Sequence, residues 1–165
     1  MGERRVAVIT GAANGIGRAL AERVREEGAA AVVVCDIDAA KAKAVANRIG
    51  GLAAVCDVSD FNAVKQVVEE TEKRFGRVDL YCANAGILVK GGLEASDDTW
   101  QRVMDINFMA HVHAARACLP GMIEARSGSI INIASVAGQR GSANHAHYAA
   151  AKGGVLAFTR SLARE

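Results

Sequence analysis

Residues 6–17 read VAVITGAANGIG, and this stretch decides the fold. It begins with four apolar residues, Val6 to Ile9, which predict a buried β-strand. Three glycines follow at positions 11, 15 and 17, and Ile16, Leu20 and Val24 then recur at the four-residue spacing of a helix. The sequence therefore predicts a strand that passes into a helix through a glycine-rich turn.

The same alternation of short apolar runs and helical stripes continues along the chain. Further apolar runs cover residues 31–35, 52–56, 78–82 and 129–134, and helical segments are predicted at 39–49, 61–75, 97–122 and from about 145. Ser59-Asp60 and Ser96 to Asp98 are typical helix N-caps. Strands that are apolar on both faces and joined by helices form parallel sheets covered on both sides. We therefore expect an α/β protein with a Rossmann-like, doubly wound parallel sheet in three α/β/α layers.

Length and composition indicate one globular domain over residues 1–165. Apolar residues make up 51% of the chain and charged residues 23%, close to the globular average. The net charge is +2 with both signs interspersed, which argues against a nucleic-acid partner. The longest stretch without a charged residue, Ser127 to Gln139, has 13 residues and is shorter than the roughly 20 that a membrane helix needs.

The N-terminus and the cysteines favour a cytoplasmic location. Met1 to Arg5 lead directly into the first apolar run without a signal-peptide cleavage pattern. The four cysteines, Cys35, Cys56, Cys82 and Cys118, include no Cys-x-x-Cys pair. They are predicted to be buried thiols of a reducing compartment rather than disulfides.

The glycine turn after the first strand is a candidate anion site. Main-chain N–H groups and the helix dipole favour a pyrophosphate at a helix N-terminus, and glycines let the backbone approach it closely. A turn that only packs the helix on the strand is the alternative. No Gly-Lys-Ser/Thr follows, which excludes a nucleoside-triphosphate loop.

Asp36 ends the second apolar run, 25 residues after Gly11, where a dinucleotide site has its ribose-binding acid. A 2′-phosphate would face this carboxylate, and positions 37–40 hold no Arg or Lys to offset it. This favours NAD over NADP. The alternative is that Asp36 caps the next helix, a role that Asp38 fills equally well.

Tyr148, Lys152 and Ser135 are candidate catalytic residues. Tyr148 and Lys152 are four residues apart, which places a phenol and an ammonium on one helical face, and the cation favours the phenolate. Ser135 follows the fifth apolar run, where substrates of open parallel sheets bind. An ordinary surface pair and an ordinary loop serine are the alternatives. No His or acid forms a nucleophile elbow with Ser135, so acyl-transfer hydrolysis is disfavoured.

Two histidine pairs, His111-x-His113 and His145-x-His147, raise the question of a metal. Residues two apart on a helix point to different sides, which disfavours joint ligation. We expect no metal site. The second pair either lines a pocket near Tyr148 or belongs to a polar loop and helix start.

Taken together, these motifs resemble the classical short-chain dehydrogenase/reductase family in order and spacing. The resemblance rests on Thr10-Gly11-x-x-x-Gly15-x-Gly17, Asp57-Val58, Asn84-Ala85-Gly86, Asn107, Ser135 and Tyr148-x-x-x-Lys152. Position 83 is Ala where the family often has Asn.

The resemblance implies a role for each catalytic candidate. Tyr148 is the general acid/base, Lys152 holds the nicotinamide ribose and favours the phenolate, Ser135 orients the substrate oxygen, and Asn107 supports a water that links Lys152 to solvent. The implied cofactor contacts are Gly11, Asn14, Gly15, Ile16, Gly17, Asp36, Asp57, Val58, Asn84, Ala85, Gly86, Tyr148 and Lys152.

The implied activity is NAD(H)-dependent interconversion of a secondary alcohol and a ketone by hydride transfer, with a small-molecule substrate and a dimeric or tetrameric homo-oligomer. Two alternatives stay open: a non-catalytic nucleotide-binding chain, and an NADP-using reductase of the 3-oxoacyl-carrier-protein type. The family's usual chain is longer. We therefore expect the domain to be incomplete at its C-terminus, with its last strands missing and the strand around Ile130, Ile131 and Ile133 at a sheet edge.

Overall fold

The computed structural model describes residues 5–165. The strands are β1 (Val6–Thr10), β2 (Ala31–Asp36), β3 (Leu52–Val55), β4 (Leu80–Ala83) and β5 (Ser129–Asn132). They form one parallel sheet in the order β3-β2-β1-β4-β5. The strand order reverses at β1, which confirms the predicted doubly wound topology. Residues 1–4, on which part of the prediction about export rests, lie outside the described residues.

Helices cover both faces of the sheet. The α-helices in the described range are α1 (Gly15–Glu26), α2 (Ala39–Ile49), α3 (Phe61–Phe75), α4 (Asp97–Met104), α5 (Ala110–Glu124), α6 (Ala137–Arg140) and α7 (Ala146–Leu162). α1 and α2 lie against one face, and α3 and α5 against the other. The predicted α/β/α layers are confirmed. The short helix α6 was not predicted.

β1 is buried on both faces because its side chains alternate between two apolar clusters. Val8 packs with Tyr81 and with residues of α3 and α5. Ala7 and Ile9 point to the other face, where they pack with Val34 and with residues of α1 and α2. Full burial of one such aliphatic side chain contributes about 1.5–3 kcal/mol. The residue that follows β1 is therefore held at the end of the central strand of the sheet.

Side-chain caps fix the starts of three helices. Asp38 accepts a hydrogen bond from Lys41 N at the start of α2, and Asp60 accepts one from Asn62 N at the start of α3. Ser96 accepts one from Thr99 N at the start of α4, whose first turn contains two aspartates. The N-caps predicted at Asp60 and Ser96 are confirmed.

The helical segment predicted over 97–122 is not uniform. A π-helical turn, Asp105–Met109, separates α4 from α5. A π turn holds one residue more than an α-helical turn and is frequent at functional sites. Pro120 lies inside α5, which continues to Glu124.

β5 is an edge strand among the described residues, as expected. It pairs with β4 only, and Ile131 is 45% exposed. Such an edge presents N–H and C=O groups that no neighbouring strand of the described sheet engages.

The cysteines are buried and free. Cys35, Cys56, Cys82 and Cys118 form no disulfide, in agreement with the prediction. Between residues 5 and 165, no helix combines the length and the apolar character needed to cross a membrane.

Candidate active site

The glycine turn between β1 and α1 lies directly against the chain that follows β4. Gly11 has φ +63°, and a Cβ built on it would lie 2.8 Å from Ala85 Cα. A Cβ on Gly17 would overlap the Gly11 carbonyl oxygen. Only glycine fits at both positions without a shift of the backbone. Asn14, the N-cap of α1, makes no side-chain cap bond, so the first-turn N–H groups remain available to an anion.

Thr10 and Asn84 tie this turn to β4. The Thr10 hydroxyl donates to Cys82 O (3.3 Å) and accepts from Asn84 N (3.0 Å). Asn84 Nδ2 donates in return to Thr10 O (2.9 Å) and Gly11 O (3.3 Å). Asn84 thus supports the glycine turn of residues 11–17, the glycine cradle, from the side of β4. Thr10, which sequence reasoning gave no separate role, is its partner.

A cavity of about 260 Å³ opens beside the turn at the carboxyl ends of the strands. It brings together seven of the predicted cofactor residues, namely Gly11, Asn14, Asp36, Asp57, Val58, Ala85 and Gly86. Gly15 and Gly17 form the turn but not the cavity wall, and Ile16 is 67% exposed outside it. A turn that admits no Cβ at Gly11 or Gly17, beside a cavity that the acid Asp36 lines, fits the pyrophosphate and ribose of a dinucleotide.

Asp36 is held by the main chain at the end of β2. Its carboxylate accepts from Ala13 N and from Asp38 N, both at 3.0 Å. The cap of α2 is Asp38, and Lys41 pairs with Asp38 at 2.7 Å. The alternative that Asp36 caps α2 is therefore wrong, and Asp36 faces the cavity.

Sequence reasoning missed five residues that line the cavity: Ile37, Cys56, Ile87, Arg102 and Ile106. Ile37 and Cys56 adjoin predicted residues, so their place in the chain was a usable signal. Arg102 comes from α4 and brings a guanidinium to the cavity that contains Asp36. No local pattern indicated this cation, because 66 residues separate it from Asp36.

Asp57 and Val58 follow β3 at the same edge of the sheet. Asp57 Oδ1 accepts from the main-chain N (2.9 Å) and the hydroxyl (2.7 Å) of Ser59. The Val58 carbonyl lies 3.1 Å from His113 Nδ1 on α5. Both residues are thus fixed before any ligand arrives.

Tyr148 and Lys152 lie one turn apart on α7, as predicted. Tyr148 is partly exposed, and its main-chain N donates to His147 Nδ1 at 2.7 Å. Lys152 is only 3% exposed, and its Nζ donates to Ile133 O at 2.6 Å. Burial lowers the pKa of Lys152 to about 8. α7 thus carries a buried ammonium to the carboxyl end of β5.

Ser135 stands between β5 and α7. Its hydroxyl accepts from Ala137 N (3.2 Å) at the start of α6. A Cβ on Gly138 of α6 would lie 2.5 Å from the carbonyl carbon of Lys152, so only glycine allows α6 to pack this closely on α7. This packing keeps the Ser135 loop beside the helix of Tyr148 and Lys152.

Asn107 is fully buried in the π-helical turn. Its Nδ2 donates to Val103 O (3.0 Å), and its Oδ1 accepts from Ile87 N (3.0 Å). A Cβ on Gly86 would come within 2.7 Å of Asn107 Oδ1. The π-helical turn that contains Asn107 also contacts α7, so this turn lies between the cavity wall at Gly86 and the helix of the catalytic candidates.

The histidines occupy separate places. His111 and His113 bond to Asn132 and to the Val58 carbonyl respectively, on different sides of α5. His145 is the N-cap of α7, and His147 is buried against Trp100, with ring centroids 5.5 Å apart. Over residues 5–165, no three His, Cys, Asp or Glu side chains come together as a metal site would require.

Comparisons with known proteins cover nearly the whole chain. The family model described as short chain dehydrogenase matches residues 5–165. The 3-oxoacyl-[acyl-carrier-protein] reductase FabG of Vibrio harveyi is 36% identical over 166 residues, which cover 99% of this chain and 68% of that protein. The meso-2,3-butanediol dehydrogenase of Serratia marcescens is 38% identical over 98% of this chain and 65% of that protein.

A solved structure agrees with the fold. The crystal structure described as ribose-5-phosphate isomerase from Brucella melitensis 16M has a TM-score of 0.91 and 38% identity, over 96% of this chain and 62% of that one. The chain thus spans about two thirds of the length of these relatives.

Proposed function

The chain belongs to the short-chain dehydrogenase family, and from this membership we propose that it is an NAD(H)-dependent oxidoreductase that interconverts a secondary alcohol and a ketone. The names of two relatives support the reaction, because a 3-oxoacyl reductase and a butanediol dehydrogenase both exchange C=O and C–OH. The proposal extends to a small-molecule substrate and to a cytoplasmic homo-oligomer, a dimer or tetramer.

One observation carries the proposal. A glycine cradle and cavity that fit a dinucleotide are joined, by the π-helical turn that contains Asn107, to a helix on which Tyr148 and the buried Lys152 share a face. A nucleotide-binding module needs the first part only. The second part supplies a phenol, Tyr148, one helical turn from a cation, Lys152. Such a pair can act as a general acid/base at a carbonyl oxygen.

The residues divide the mechanism between them. Gly11, Asn14 and Asp36 would hold the pyrophosphate and ribose of NAD, whose nicotinamide supplies the hydride acceptor or donor when it is bound. In alcohol oxidation, Tyr148 takes the hydroxyl proton at its phenolate oxygen, and in ketone reduction the phenol returns it. The Lys152 ammonium stabilises the phenolate electrostatically. The Ser135 hydroxyl donates to the substrate oxygen and orients it.

The preference for NAD over NADP rests on Asp36. Its carboxylate would face a 2′-phosphate, and Lys41, the next lysine along the chain, is paired with Asp38. We expect calorimetric titration of the chain to show micromolar binding of NAD and at least tenfold weaker binding of NADP, a difference of about 1.4 kcal/mol. Equal affinities would contradict the preference, and no binding of either would overturn the function.

A second candidate, an NADP-using reductase of 3-oxoacyl-carrier-protein substrates, is favoured by Arg102. Arg102 lines the cavity together with Asp36, and a guanidinium there would offset part of the negative charge of Asp36. The relative from Vibrio harveyi carries the corresponding name. The same titration separates the candidates, and tighter binding of NADP would select this one. An isomerase, as named for the structural relative, would bind neither dinucleotide.

Tyr148→Phe tests catalysis separately from binding. We expect the variant to lose turnover by roughly 10²–10⁴, because the phenolic proton carrier is gone, while the dissociation constant of NAD stays within about twofold. NADH absorbance measures the rate, and calorimetry measures the affinity.

Tyr81→Phe is the matched control, since Tyr81 is the other tyrosine of the chain and lies buried in the core. It removes the same hydroxyl far from the proposed chemistry. Retained turnover in Tyr148→Phe, or an equal loss in Tyr81→Phe, would contradict the assigned role. A wild-type chain that binds NAD but turns over no alcohol or ketone would be the non-catalytic nucleotide-binding protein.

A further inference from the structure

The inference concerns His111, a buried histidine on α5 that the proposed mechanism does not use. It is 1% exposed, and its Nδ1 lies 3.0 Å from Asn132 Oδ1, at the end of β5. Its other ring nitrogen, Nε2, is buried and has no hydrogen-bond partner among the described residues. An unpaired buried polar atom is destabilising, so this lone nitrogen requires an explanation.

The hydrogen bonds around Asn132 determine which ring nitrogen carries the proton. Thr159 Oγ1 donates its only proton to Val155 O (2.7 Å), so it accepts from Asn132 Nδ2 (3.0 Å). The amide oxygen of Asn132 must then face His111, and His111 Nδ1 must donate to it. Nε2 of the neutral ring is therefore an acceptor with a free lone pair.

Lys152 binds the chain one residue away from Asn132, the hydrogen-bond partner of this ring. Its Nζ donates to the carbonyl of Ile133, the residue next to Asn132. Burial, chiefly, and the positive charge of Lys152 lower the pKa of His111 to about 4, against a smaller opposing effect of the Asn132 bond. The imidazole of His111 is thus neutral over the pH range in which Lys152 titrates, and its Nε2 can accept a hydrogen bond. The Lys152 ammonium has three N–H donors, of which the Ile133 carbonyl engages one.

We propose that His111 is a positioning residue for Lys152, and that its Nε2 accepts a hydrogen bond from a buried water to which the Lys152 ammonium donates. Buried waters typically satisfy polar groups of this kind. The arrangement stabilises the protonated form of Lys152 in a site that burial disfavours for a cation. It rests on the proposed function only for the use made of that charge, namely support of the Tyr148 phenolate.

Two substitutions distinguish the roles of the two ring nitrogens of His111. In His111→Asn, the amide nitrogen takes the place of Nδ1 and keeps the bond to Asn132, but the acceptor at the Nε2 position is lost. In His111→Gln, the longer side chain returns an acceptor to that position. His113→Asn is the control, because His113 lies on the same helix and bonds to the Val58 carbonyl instead.

The measurement is the titration of Lys152 followed by NMR in protein labelled with ¹³C at lysine Cε, with the signal assigned by its loss in Lys152→Met. The chain has six lysines, so the spectrum is simple. We expect His111→Asn to lower the midpoint of Lys152 by about one pH unit. His111→Gln and His113→Asn are expected to keep the wild-type midpoint.

An unchanged midpoint in His111→Asn, or equal shifts in His111→Asn and His113→Asn, would overturn the proposal. If His111→Asn does not fold, the imidazole ¹⁵N spectrum of the wild-type chain decides. Nδ1 must then be protonated, and the Nε2 signal must move with the Lys152 titration; an Nε2 signal that ignores it would overturn the proposal. Neither readout needs turnover, so failure here is distinct from failure of the proposed function.

Discussion

A single buried ammonium dominates the electrostatics at the catalytic end of the site. Lys152 is almost completely shielded from solvent. Among the described residues, its ammonium donates a hydrogen bond to the carbonyl of Ile133. Burial lowers the pKa of Lys152 to about 8, so the cation is present below that pH and is lost above it. Any step that needs the charge therefore has an alkaline limit close to the physiological range.

We expect kcat/KM for alcohol oxidation to fall as the pH rises through about 8, because Lys152 then loses the proton that supports the phenolate. Lys152→Arg keeps its charge to pH 12 or beyond. Its rate at neutral pH is expected to be lower, because a larger guanidinium replaces the ammonium. The pH at which its rate falls should be higher than in the wild-type protein. Initial rates between pH 6 and pH 10 test this, and an alkaline midpoint shared by both proteins would contradict it.

Residues close together in the chain were predictable, and residues joined only by the fold were not. The aspartates at 36 and 38 left two readings open, and the structure resolves them because Asp38 accepts the Lys41 N–H. Arg102 gave no signal, since its place at the cavity depends on how α4 lies on the sheet. The bonds of His111 likewise depend on β5 and α7, which the local sequence does not describe.

At the scale of elements, the glycine turn and the π-helical turn define the site in different ways. The strand–turn–helix unit could be predicted from the sequence, because the spacing of apolar residues and of glycines is a local property. The π-helical turn was not, because its Asn107 bonds to Ile87, which lies 20 residues earlier in the chain. The predicted helix over 97–122 was therefore correct in extent but not in its internal geometry.

Gly17→Ala and Gly15→Ala are a matched pair for the glycine turn. Gly17→Ala should destabilise the protein by about 2–3 kcal/mol, because its Cβ overlaps the Gly11 carbonyl and the turn must shift. Gly15 has φ +54° and open space around a Cβ, so Gly15→Ala should cost only about 1 kcal/mol of backbone strain. Urea unfolding measures both, and equal losses would show that the turn is looser than this packing requires.

Over the whole molecule, the charges at the nucleotide cavity come from distant parts of the chain. Asp36 arrives on β2, Asp57 follows β3, and Arg102 arrives on α4. Two carboxylates against one guanidinium leave the cavity negative, which disfavours an additional phosphate. We therefore expect the choice between NAD and NADP to depend on the balance of these groups rather than on the acid after β2 alone.

Asp36→Asn should improve NADP binding about tenfold, or about 1.4 kcal/mol, since it removes one negative charge from the cavity. Arg102→Gln should act in the opposite direction and weaken NADP more than NAD. Calorimetry with both dinucleotides gives the ratios.

The control for these variants is Asp38→Asn, which neutralises a carboxylate two residues away that caps α2 and does not line the cavity. It should leave the ratio of NAD to NADP affinity unchanged. A ratio that moves equally in Asp36→Asn and Asp38→Asn would mean that the long-range field, and not contact at the cavity, sets the preference.

The central place of β1 has a consequence for the order in which the protein is made. The glycine turn depends on bonds between Thr10 and Asn84, partners 74 residues apart. At about 5–20 residues per second, a ribosome needs roughly 4–15 s to add that length of chain. β1, α1 and β2 are therefore synthesised before the residues that complete the cradle exist. Any affinity of the cradle for a nucleotide would therefore arise late in synthesis, and the ligand could not assist the folding of the earlier part of the chain.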